Sequence, residues 1–415
     1  MAQHEGCQRG GYQHEGYRVG EREHRRIVVA LFAAGVATFA LLYSTQAILP
    51  ELARAFSVSA AQSTLSLSLA TIGLGAALLV VGPLSDVLGR TRLIHWSLTL
   101  SAVVALCAGL APSWHVLLGL RMLQGVALAG LPAVATAYLR EELHPGTHAR
   151  AAGLYIGGTA LGGMAGRLLT GAVADAAGWR WALSVVAVVG IVCAVVVRLM
   201  LPASRNFVAA SARVEHLLAK SRRAVSDGGL VGLYAIGACA MGAFVAIYNT
   251  MGFRLTSPSF GLGLGAAGLV FLVYPVGSLG SMVAGRLADR YSRRAVMPVG
   301  CAVTITGLLL TLPASLPVVV IGLAVMTAGF FAVHGVASGW VPARAHAGGA
   351  ASGQAASLYL FAYYLGSSVF GAIAGSAWTL GAWPAVVALA SVLVIAAGVA
   401  AAWLRRTPSL DPNRR

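Results

Sequence analysis

Gly82-Pro-Leu-Ser-Asp86-Val-Leu-Gly89-Arg90-Thr-Arg92 interrupts a long hydrophobic region of this 415-residue sequence. A related stretch, Gly285-Arg-Leu-Ala-Asp289-Arg290-Tyr-Ser-Arg293-Arg294, follows 203 residues later. Each stretch ends one apolar run and precedes the next, so we predict that each forms a tight basic hairpin between two membrane helices. A hairpin repeated at half the chain length indicates two homologous helical bundles.

Composition places the chain in a membrane. Hydrophobic residues make up 58% and charged residues 10%, with a mean hydropathy of +0.79; a soluble domain carries about 25% charged residues. Gly, Pro and charge clusters divide the chain into twelve apolar runs of about 20 residues, the length that crosses a bilayer core. We therefore predict an all-α membrane protein whose twelve transmembrane helices form two pseudo-symmetric six-helix bundles. The predicted parts are a disordered cytoplasmic tail (1–26), an N-terminal bundle (27–201), a cytoplasmic linker (202–228), a C-terminal bundle (229–404) and a cytoplasmic tail (405–415).

The basic residues are distributed asymmetrically. The sequence has 29 Lys and Arg against 13 Asp and Glu, a net charge of +16, and most of the basic residues fall in the tails and on one set of loops. This is the positive-inside pattern, which predicts cytoplasmic termini in a bacterial inner membrane and contact with anionic lipid. A nucleic-acid partner would need a basic face on a soluble module, and the sequence has none. Four of the five cysteines lie inside predicted spans, so no disulfide framework is indicated.

The two hairpins predict a cytoplasmic gate. Gly82 and Gly285 would let helices approach closely, and Asp86 and Asp289 would accept hydrogen bonds from the N–H groups that open the next helix. Arg140 and Arg344 end equivalent helices of the repeat, so we predict the pairs Asp86–Arg140 and Asp289–Arg344, closing this face when the other opens. The alternative is that the basic residues serve only topology and lipid contact. The predicted gate residues are Gly82, Asp86, Gly89, Arg90, Arg92, Arg140, Gly285, Asp289, Arg290, Arg294 and Arg344.

The motifs resemble those of a known family. The first hairpin resembles the Gly-x-x-x-Asp-x-x-Gly-Arg-x-Arg signature of the major facilitator superfamily, and Arg121-Met-Leu-Gln124-Gly125 resembles its Arg-x-x-x-Gly element, associated with energy coupling. The stretches 39–50, 153–156 and 354–368 look like a bacterial inner-membrane branch described as drug or sugar (arabinose-type) efflux proteins. The resemblance covers residues 27–404 and implies secondary transport by alternating access.

Arg121, Arg167 and Arg198 lie inside predicted spans, and the first two are candidates for function. An arginine there costs about 2.5–3.5 kcal/mol unless it faces a cavity or a partner. Arg121 is therefore predicted to bind a substrate anion or to carry coupling, the alternative being a structural pairing with backbone carbonyls. Arg167 follows five glycines that resemble the antiporter motif of efflux members, although the usual proline is missing.

The spans contain no acidic residue at mid-membrane depth. Proton-driven exporters often place a carboxylate there, and arginine cannot replace it because it does not release its proton. The remaining titratable candidates are Asp175 and Glu51 near the outer mouth and His334. The alternative for His334 is a packing role.

Polar and aromatic residues on apolar spans are the candidates for a substrate cavity. The predicted substrate and coupling residues are Tyr43, Gln46, Arg121, Gln124, Tyr155, Arg167, Asn249, His334, Tyr359 and Tyr363, with Tyr248 as a further lining residue. We predict proton-coupled export of a small drug-like or sugar-like compound by a monomer. Two alternatives stay open: a facilitator or uptake carrier for an organic anion, and a membrane sensor that binds without translocation.

No enzyme, cofactor or metal is predicted. Gly263-Leu-Gly265-Ala-Ala-Gly268 fits the dinucleotide fingerprint, but no strand precedes it and a membrane span follows. HExxH, GxSxG and Walker A motifs are absent from the sequence. His4, His14 and His24 would suit a metal, but a disordered tail is the preferred interpretation of that segment.

Overall fold

The computed structural model describes residues 16–207 and 222–407. Within these ranges the chain is helical, and we number the membrane helices α1 to α12. The N-terminal half comprises α1 (Arg22–Ala55), α2 (Ala60–Leu88), α3 (Arg90–Gly109), α4 (Trp114–Glu142), α5 (His148–Ala177) and α6 (Trp179–Met200). Helix α1 is α-helical over Arg22–Tyr43, loses regular hydrogen bonding at Ser44 and Thr45, and resumes through Gln46–Ile48 and Leu49–Ala55.

The C-terminal half repeats this arrangement. Helices α7 (Gly228–Thr256), α8 (Leu264–Arg290), α9 (Arg293–Leu310) and α10 (Leu316–Ala347) are followed by one helical run, Ser352–Trp403. That run breaks at Gly381 and Ala382, whose backbone angles are not helical, so we call residues 352–380 α11 and residues 383–403 α12. Helix α8 is itself interrupted by a 3-10 turn over Leu269–Val273.

The described ranges account for the twelve predicted spans. Ten helical runs are long and apolar enough to cross a membrane, and the run Ser352–Trp403 holds two of the twelve spans. The remaining one, α5, is long enough with 30 residues, but its glycines and Arg167 make it less apolar than the others.

All twelve helices alternate in direction, which gives the bundle two ends. We call the end that carries the α2–α3 and α8–α9 loops the basic end, and the opposite end the distal end. At the basic end, the Tyr17 N–H donates to the Glu142 carbonyl (2.9 Å) and the His144 N–H to the Tyr17 carbonyl (3.1 Å). The predicted disordered tail of 1–26 is therefore corrected for residues 16–26, because these bonds and the first turn of α1 fix them. Residues 1–15, with His4 and His14, lie outside the described residues, as do 208–221.

Glycines set the closest helix contacts within each half. On α5, Gly158 and Gly162 face α1, where an added Cβ would collide with the carbonyl oxygens of Phe32 and Val36. On α11, Gly366 approaches α7 in the same way. Small residues spaced three or four apart on a helix let two helix backbones come into contact. Such close packing matters in a membrane because the hydrophobic effect does not drive helices together in lipid. Of the five glycines before Arg167, Gly158, Gly162 and Gly166 thus have a packing role against α1 in this structure.

The two halves meet near the distal end. The amide of Gln46 on α1 donates to Asn249 on α7 (2.7 Å), the hydroxyls of Thr71 on α2 and Ser368 on α11 lie 2.7 Å apart, and the Leu264 N–H of α8 donates to Asp175 of α5 (3.1 Å). A Cβ on Gly375 of α11 would collide with the backbone of Ala61 at the start of α2. These contacts close the distal end.

Nearer the basic end the helices separate. A Cβ added at Gly82, Gly153, Gly339 or Gly353 would meet nothing within 4 Å, although these positions lie on helices from both halves. The described hydrogen bonds between the halves all lie on the distal side of these positions, and we infer from this that the halves enclose a cleft that is closed distally and open toward the basic end.

Candidate functional site

Arg167 lies at the closed end of the cleft. Arg167 is 2% exposed. Its guanidinium carbon lies 4.0 Å from the ring centre of Tyr43, 4.8 Å from that of Tyr274 and 5.0 Å from that of Phe271. Tyr43 belongs to the N-terminal half and the other two rings to the C-terminal half. Cation–π contacts of this kind are worth about 2 kcal/mol or more once water is removed, so the charge of Arg167 joins the two halves.

A chain of hydrogen bonds continues from Arg167 into the C-terminal half. The Nε atom of Arg167 donates to Gln46 Oε1 (2.5 Å), Gln46 Nε2 donates to Asn249 Oδ1 (2.7 Å), and Asn249 Nδ2 donates to the Gly371 carbonyl (3.5 Å). On the other side, Arg167 Nη1 donates to the Gly163 carbonyl (2.5 Å). Three of the predicted site residues are thus brought together in one network.

The helix interruptions supply the geometry of this network. Gln46 follows the break in α1, and Phe271 and Tyr274 lie in and just after the 3-10 turn of α8, where Pro275 supplies no N–H. Phe271 and Tyr274 were not predicted from the sequence, although Tyr274 is a polar aromatic residue on an apolar span, as the predicted tyrosines are.

Aromatic rings extend from this network along the C-terminal wall of the cleft. Phe244, Tyr248, Phe271 and Tyr274 are mutually packed, with ring centres 4.8 to 5.9 Å apart in their close pairs. Tyr248, predicted as a lining residue, is 1% exposed and hydrogen-bonds to Thr327 (2.8 Å), so it supports the wall from behind.

His334 lies on the same wall. Its Nδ1 atom is 2.9 Å from the hydroxyl of Tyr359, and its ring centre is 4.7 Å from that of Tyr363 and 5.9 Å from that of Phe330. His334 and Tyr363 are partly exposed, whereas Tyr359 is 1% exposed. The structure therefore groups three predicted residues, with Tyr359 behind the other two.

Arg121 occupies a different environment. It is 1% exposed and donates to the Ser66 carbonyl (2.9 Å), the Leu41 carbonyl (3.0 Å), the Leu42 carbonyl and Gln124 Oε1 (2.5 Å). Leu41 and Leu42 end the first segment of α1, where the break leaves carbonyls without helical partners. The prediction that Arg121 binds a substrate anion is corrected for this conformation, and the alternative holds: the guanidinium is bound by backbone carbonyls inside the N-terminal half, with Gln124 beside it.

The prediction that Tyr155 belongs to the substrate site is also corrected. Tyr155 is 8% exposed and packs with Ile27, Leu31 and Tyr138 in the hydrophobic core of the N-terminal half, because it lies on the face of α5 that turns toward α1. It does not join the group around Arg167.

At the basic end, the N-terminal half has an ion-pair cluster that differs from the predicted one. Arg90 pairs with Asp86 (2.5 Å) and with Glu141 at the end of α4 (2.9 Å), while Arg140 is exposed. The guanidinium of Arg90 reaches Glu141 because α3 begins directly after Gly89, whose φ of +92° favours glycine. The predicted Asp86–Arg140 pair is therefore replaced by Asp86–Arg90–Glu141 in this conformation.

In the C-terminal half, Arg344 pairs with Asp227 and not as predicted with Asp289, which is exposed. The Nε and Nη2 atoms of Arg344 donate to the two carboxylate oxygens (2.7 and 3.0 Å), and the same carboxylate accepts from the Leu230 N–H (2.7 Å), which caps α7. Burial alone would raise the pKa of Asp227, but the bonds from Arg344 and the Leu230 N–H outweigh it, so this pKa lies below its ordinary value.

The other predicted gate residues contact little of the opposite half. Arg92 and Arg290 are exposed, and Arg294 donates to the carbonyls of Arg405 (3.1 Å) and Thr407 (2.8 Å). Gly82 and Gly285 make no close approach here. The predicted capping by Asp86 and Asp289 is also wrong: α3 has no side-chain cap, and α9 is capped by Ser292. The two aspartates lie in the last turns of α2 and α8, and Asp86 forms an ion pair with Arg90.

Comparison with known proteins agrees with this architecture. The family model of the Major Facilitator Superfamily matches residues 27–367 and 233–415. The uncharacterized MFS-type transporter YybF of Bacillus subtilis strain 168 is 38% identical over 397 residues, covering 96% of this chain and 98% of its own. The inner membrane transport protein YnfM of Escherichia coli K12 is 40% identical over 378 residues, covering 91% and 90%.

Solved structures share the fold. A bacterial homologue of the human lysosomal transporter Spinster, in an inward-facing and unoccupied conformation, superposes with a TM-score of 0.77 at 17% identity, covering 94% of this chain and all of its own. A point mutant of the nucleoside transporter NupG superposes with a TM-score of 0.71 at 14% identity, covering 91% of this chain and 99% of its own. With its twelve helices in two repeated bundles, the chain belongs to the major facilitator superfamily of membrane transporters.

Proposed function

We propose that this protein is a secondary transporter that exports a small organic compound across a bacterial inner membrane in exchange for protons. The observation that carries the proposal is the cleft: it is closed distally by the Arg167–Gln46–Asn249 network and open at the basic end. With the basic end in the cytoplasm, as the charge asymmetry favours, this is the state that receives substrate from the cell.

The lining of the cleft supports an amphipathic organic substrate. Tyr274, Phe331, His334 and Tyr363 are partly exposed on the C-terminal wall, and they offer aromatic surface with few hydrogen-bonding groups. Pockets of this composition bind organic molecules mainly through apolar contact, with a few polar groups that fix orientation.

Proton coupling requires a group that titrates, and His334 is our candidate. It is exposed to the cleft and hydrogen-bonds to Tyr359, which gives a proton a route between side chains. Asp175 is a second candidate, because its carboxylate bridges the halves at the distal end by accepting from the Leu264 N–H.

The test is flux into and out of proteoliposomes under an imposed pH gradient, with a cationic dye, a pentose and an aromatic carboxylate as probes. Wild type, His334→Gln and the exposed matched control His115→Gln are compared. Proton-coupled export is supported if the flux depends on the pH gradient in wild type and the control but is independent of the gradient in His334→Gln. Probe binding without flux at any gradient would indicate the sensor instead.

A second candidate function is a facilitator for an organic anion. Arg167 favours it, because its charge is balanced by rings and amide oxygens and by no described carboxylate within ion-pair distance. Such a protein would carry the aromatic carboxylate at a rate independent of the pH gradient, in wild type as well as in His334→Gln.

A further inference from the structure

Another cavity lies at the basic end, where α1 and α5 begin. Its basic lining residues are Arg22, His24 and Arg25 from α1 and Arg150 from α5. The three arginines are exposed, and the acidic residue in the lining is Glu21. Three positive charges against one negative charge leave a net charge of +2 without counting the histidine, so the cavity attracts an anion.

His24 adds a buried, unpaired polar group beside the cavity. The residue is 8% exposed, and its Nε2 atom is buried without a hydrogen-bond partner among the described residues. A buried ring nitrogen left unpaired costs free energy that a bound acceptor would recover. The exposed arginines around the cavity remain hydrated. His24, in contrast, lies in the first turns of α1, which hold it in place.

The start of α1 adds backbone donors. Glu21 occupies the N-cap position with no side-chain cap, and the first described bond of the helix is from the Arg25 N–H to the Glu21 carbonyl. The N–H groups of residues 22–24 therefore point outward at the positive end of a 22-residue helical segment, an arrangement that binds phosphate-like anions.

Aliphatic residues continue from the basic group toward the membrane. Val28, Val29 and Leu154 line the same cavity, and Val29 and Leu154 are 37% and 42% exposed. Val19 (54% exposed) borders the opposite rim. A charged headgroup site directly above exposed aliphatic side chains on two membrane helices matches the shape of a phospholipid, whose phosphate and acyl chains are adjacent.

We propose that this cavity binds the phosphate of an anionic phospholipid, with Arg25 and Arg150 as donors, His24 as a further donor once its ring turns toward the phosphate, and Val29 and Leu154 against an acyl chain. The proposal concerns a bound lipid and not the transported compound, so it goes beyond the proposed function. It assigns to α1 and α5, the pair that carries Gln46 and Arg167, a lipid contact that fastens their basic ends together.

The experiment uses the purified, delipidated full-length protein. Binding at the tightest site is measured by native mass spectrometry with phosphatidylglycerol, and with phosphatidylcholine as the zwitterionic comparison. We expect Arg25→Gln/Arg150→Gln to weaken phosphatidylglycerol binding at least tenfold. Arg222→Gln/Arg223→Gln, which removes two exposed charges from the same end, should change it less than twofold.

Two further arms keep the test decisive. His24→Leu should weaken binding, whereas His24→Gln, which retains a side-chain N–H near the Nε2 position, should preserve it; size-exclusion profiles report whether each variant is folded. Equal binding in all variants would overturn the proposal. Displacement of the lipid by millimolar inorganic phosphate would overturn its lipid part, since the site would then bind the free ion.

Discussion

Arg121 and Arg167 are both buried arginines on membrane helices, and their neighbours give them different roles. Arg121 is enclosed by carbonyls and one amide within the N-terminal half. Arg167 contacts rings from both halves, so its contacts must change whenever the halves move apart distally. Arg121 therefore stabilises one half, whereas Arg167 joins the two halves.

We expect Arg121→Met to lower the free energy of unfolding by about 3 kcal/mol, because it removes the charged hydrogen bonds from the guanidinium to the carbonyls of Leu41, Leu42 and Ser66 in a buried environment. The melting temperature in detergent measures the loss. Arg140→Met, at an exposed position on the same helix, is the control and should melt within a degree or two of wild type. An unchanged melting temperature for Arg121→Met would show that the carbonyl contacts are dispensable.

We expect Arg167→Lys to reduce transport at least tenfold while the protein stays folded. A lysine keeps the charge but lacks the planar group that stacks between Tyr43 and Tyr274 and donates to Gln46. Arg180→Lys is the matched control, since Arg180 also contacts a ring, that of Trp179 at 4.3 Å, but lies outside the cleft. Initial rates of flux in proteoliposomes measure both. Equal rates would mean that only the charge of Arg167 matters.

At the scale of elements, α7 and α10 are joined at the basic end by one compact contact. The Arg344 guanidinium passes directly over Gly229, where an added Cβ would collide with it, and binds the Asp227 carboxylate that caps α7. The helix start and the ion pair thus depend on the same three residues.

Gly229→Ala should consequently destabilise the protein by about 1–3 kcal/mol, because the methyl group displaces Arg344 from a partly buried carboxylate. Gly339→Ala on α10 is the control: its Cβ meets nothing within 4 Å, and removing a helix-interior glycine should be neutral or stabilising by up to about 1 kcal/mol. Thermal melting of the two variants decides the matter, and similar losses in both would contradict the Arg344 contact.

The lowered pKa of Asp227 predicts a pH dependence. A carboxyl group whose folded-state pKa is depressed contributes stability above its unfolded pKa, about 3.9, and loses it as pH falls through the folded value. Asp227→Asn keeps a capping side chain but loses the ion pair. The melting-temperature difference between wild type and Asp227→Asn should be constant between about pH 5 and 7 and shrink below about pH 4. A difference that grew on acidification would contradict this sign.

At the scale of the whole molecule, the proposed transport requires the two six-helix bundles to rock against each other, with the structure as one state of that cycle. The distal contacts between α2 and α11, and between α5 and α8, must break for the opposite state to form. Thr71 and Ser368, whose hydroxyls lie 2.7 Å apart across the α2–α11 contact, are suited to fixing the observed state.

We expect a disulfide between Thr71→Cys and Ser368→Cys to stop transport and a reductant to restore it, because a bond of about 2 Å between the sulfur atoms prevents distal opening. Each single variant, treated with the same oxidant, controls for the native cysteines. Mass spectrometry confirms the crosslink, and flux measures its effect. Full transport by crosslinked protein would show that the α2–α11 contact does not open during the cycle.

Much of this architecture was predictable from sequence. Apolar run length, the repeated hairpin and the positive-inside asymmetry determine the helices and the two homologous halves, because a bilayer requires backbone hydrogen bonds to be satisfied within each span. The residues Gln46, Asn249 and Arg167 were predictable as a set, since polar groups on apolar spans need a partner or a cavity.

The partners of those groups were decided only by tertiary structure. The sequence alone does not show that α1 breaks beside Arg121 and supplies it with carbonyls, nor that the 3-10 turn of α8 brings Phe271 and Tyr274 against Arg167. Asp227 and Glu141 were missed as ion-pair partners for the same reason. Which side chains pair depends on which helix faces meet and on where helices break. Both are set by close contacts between helices, such as that of Gly162 with Val36, and the sequence of a single span does not encode such contacts.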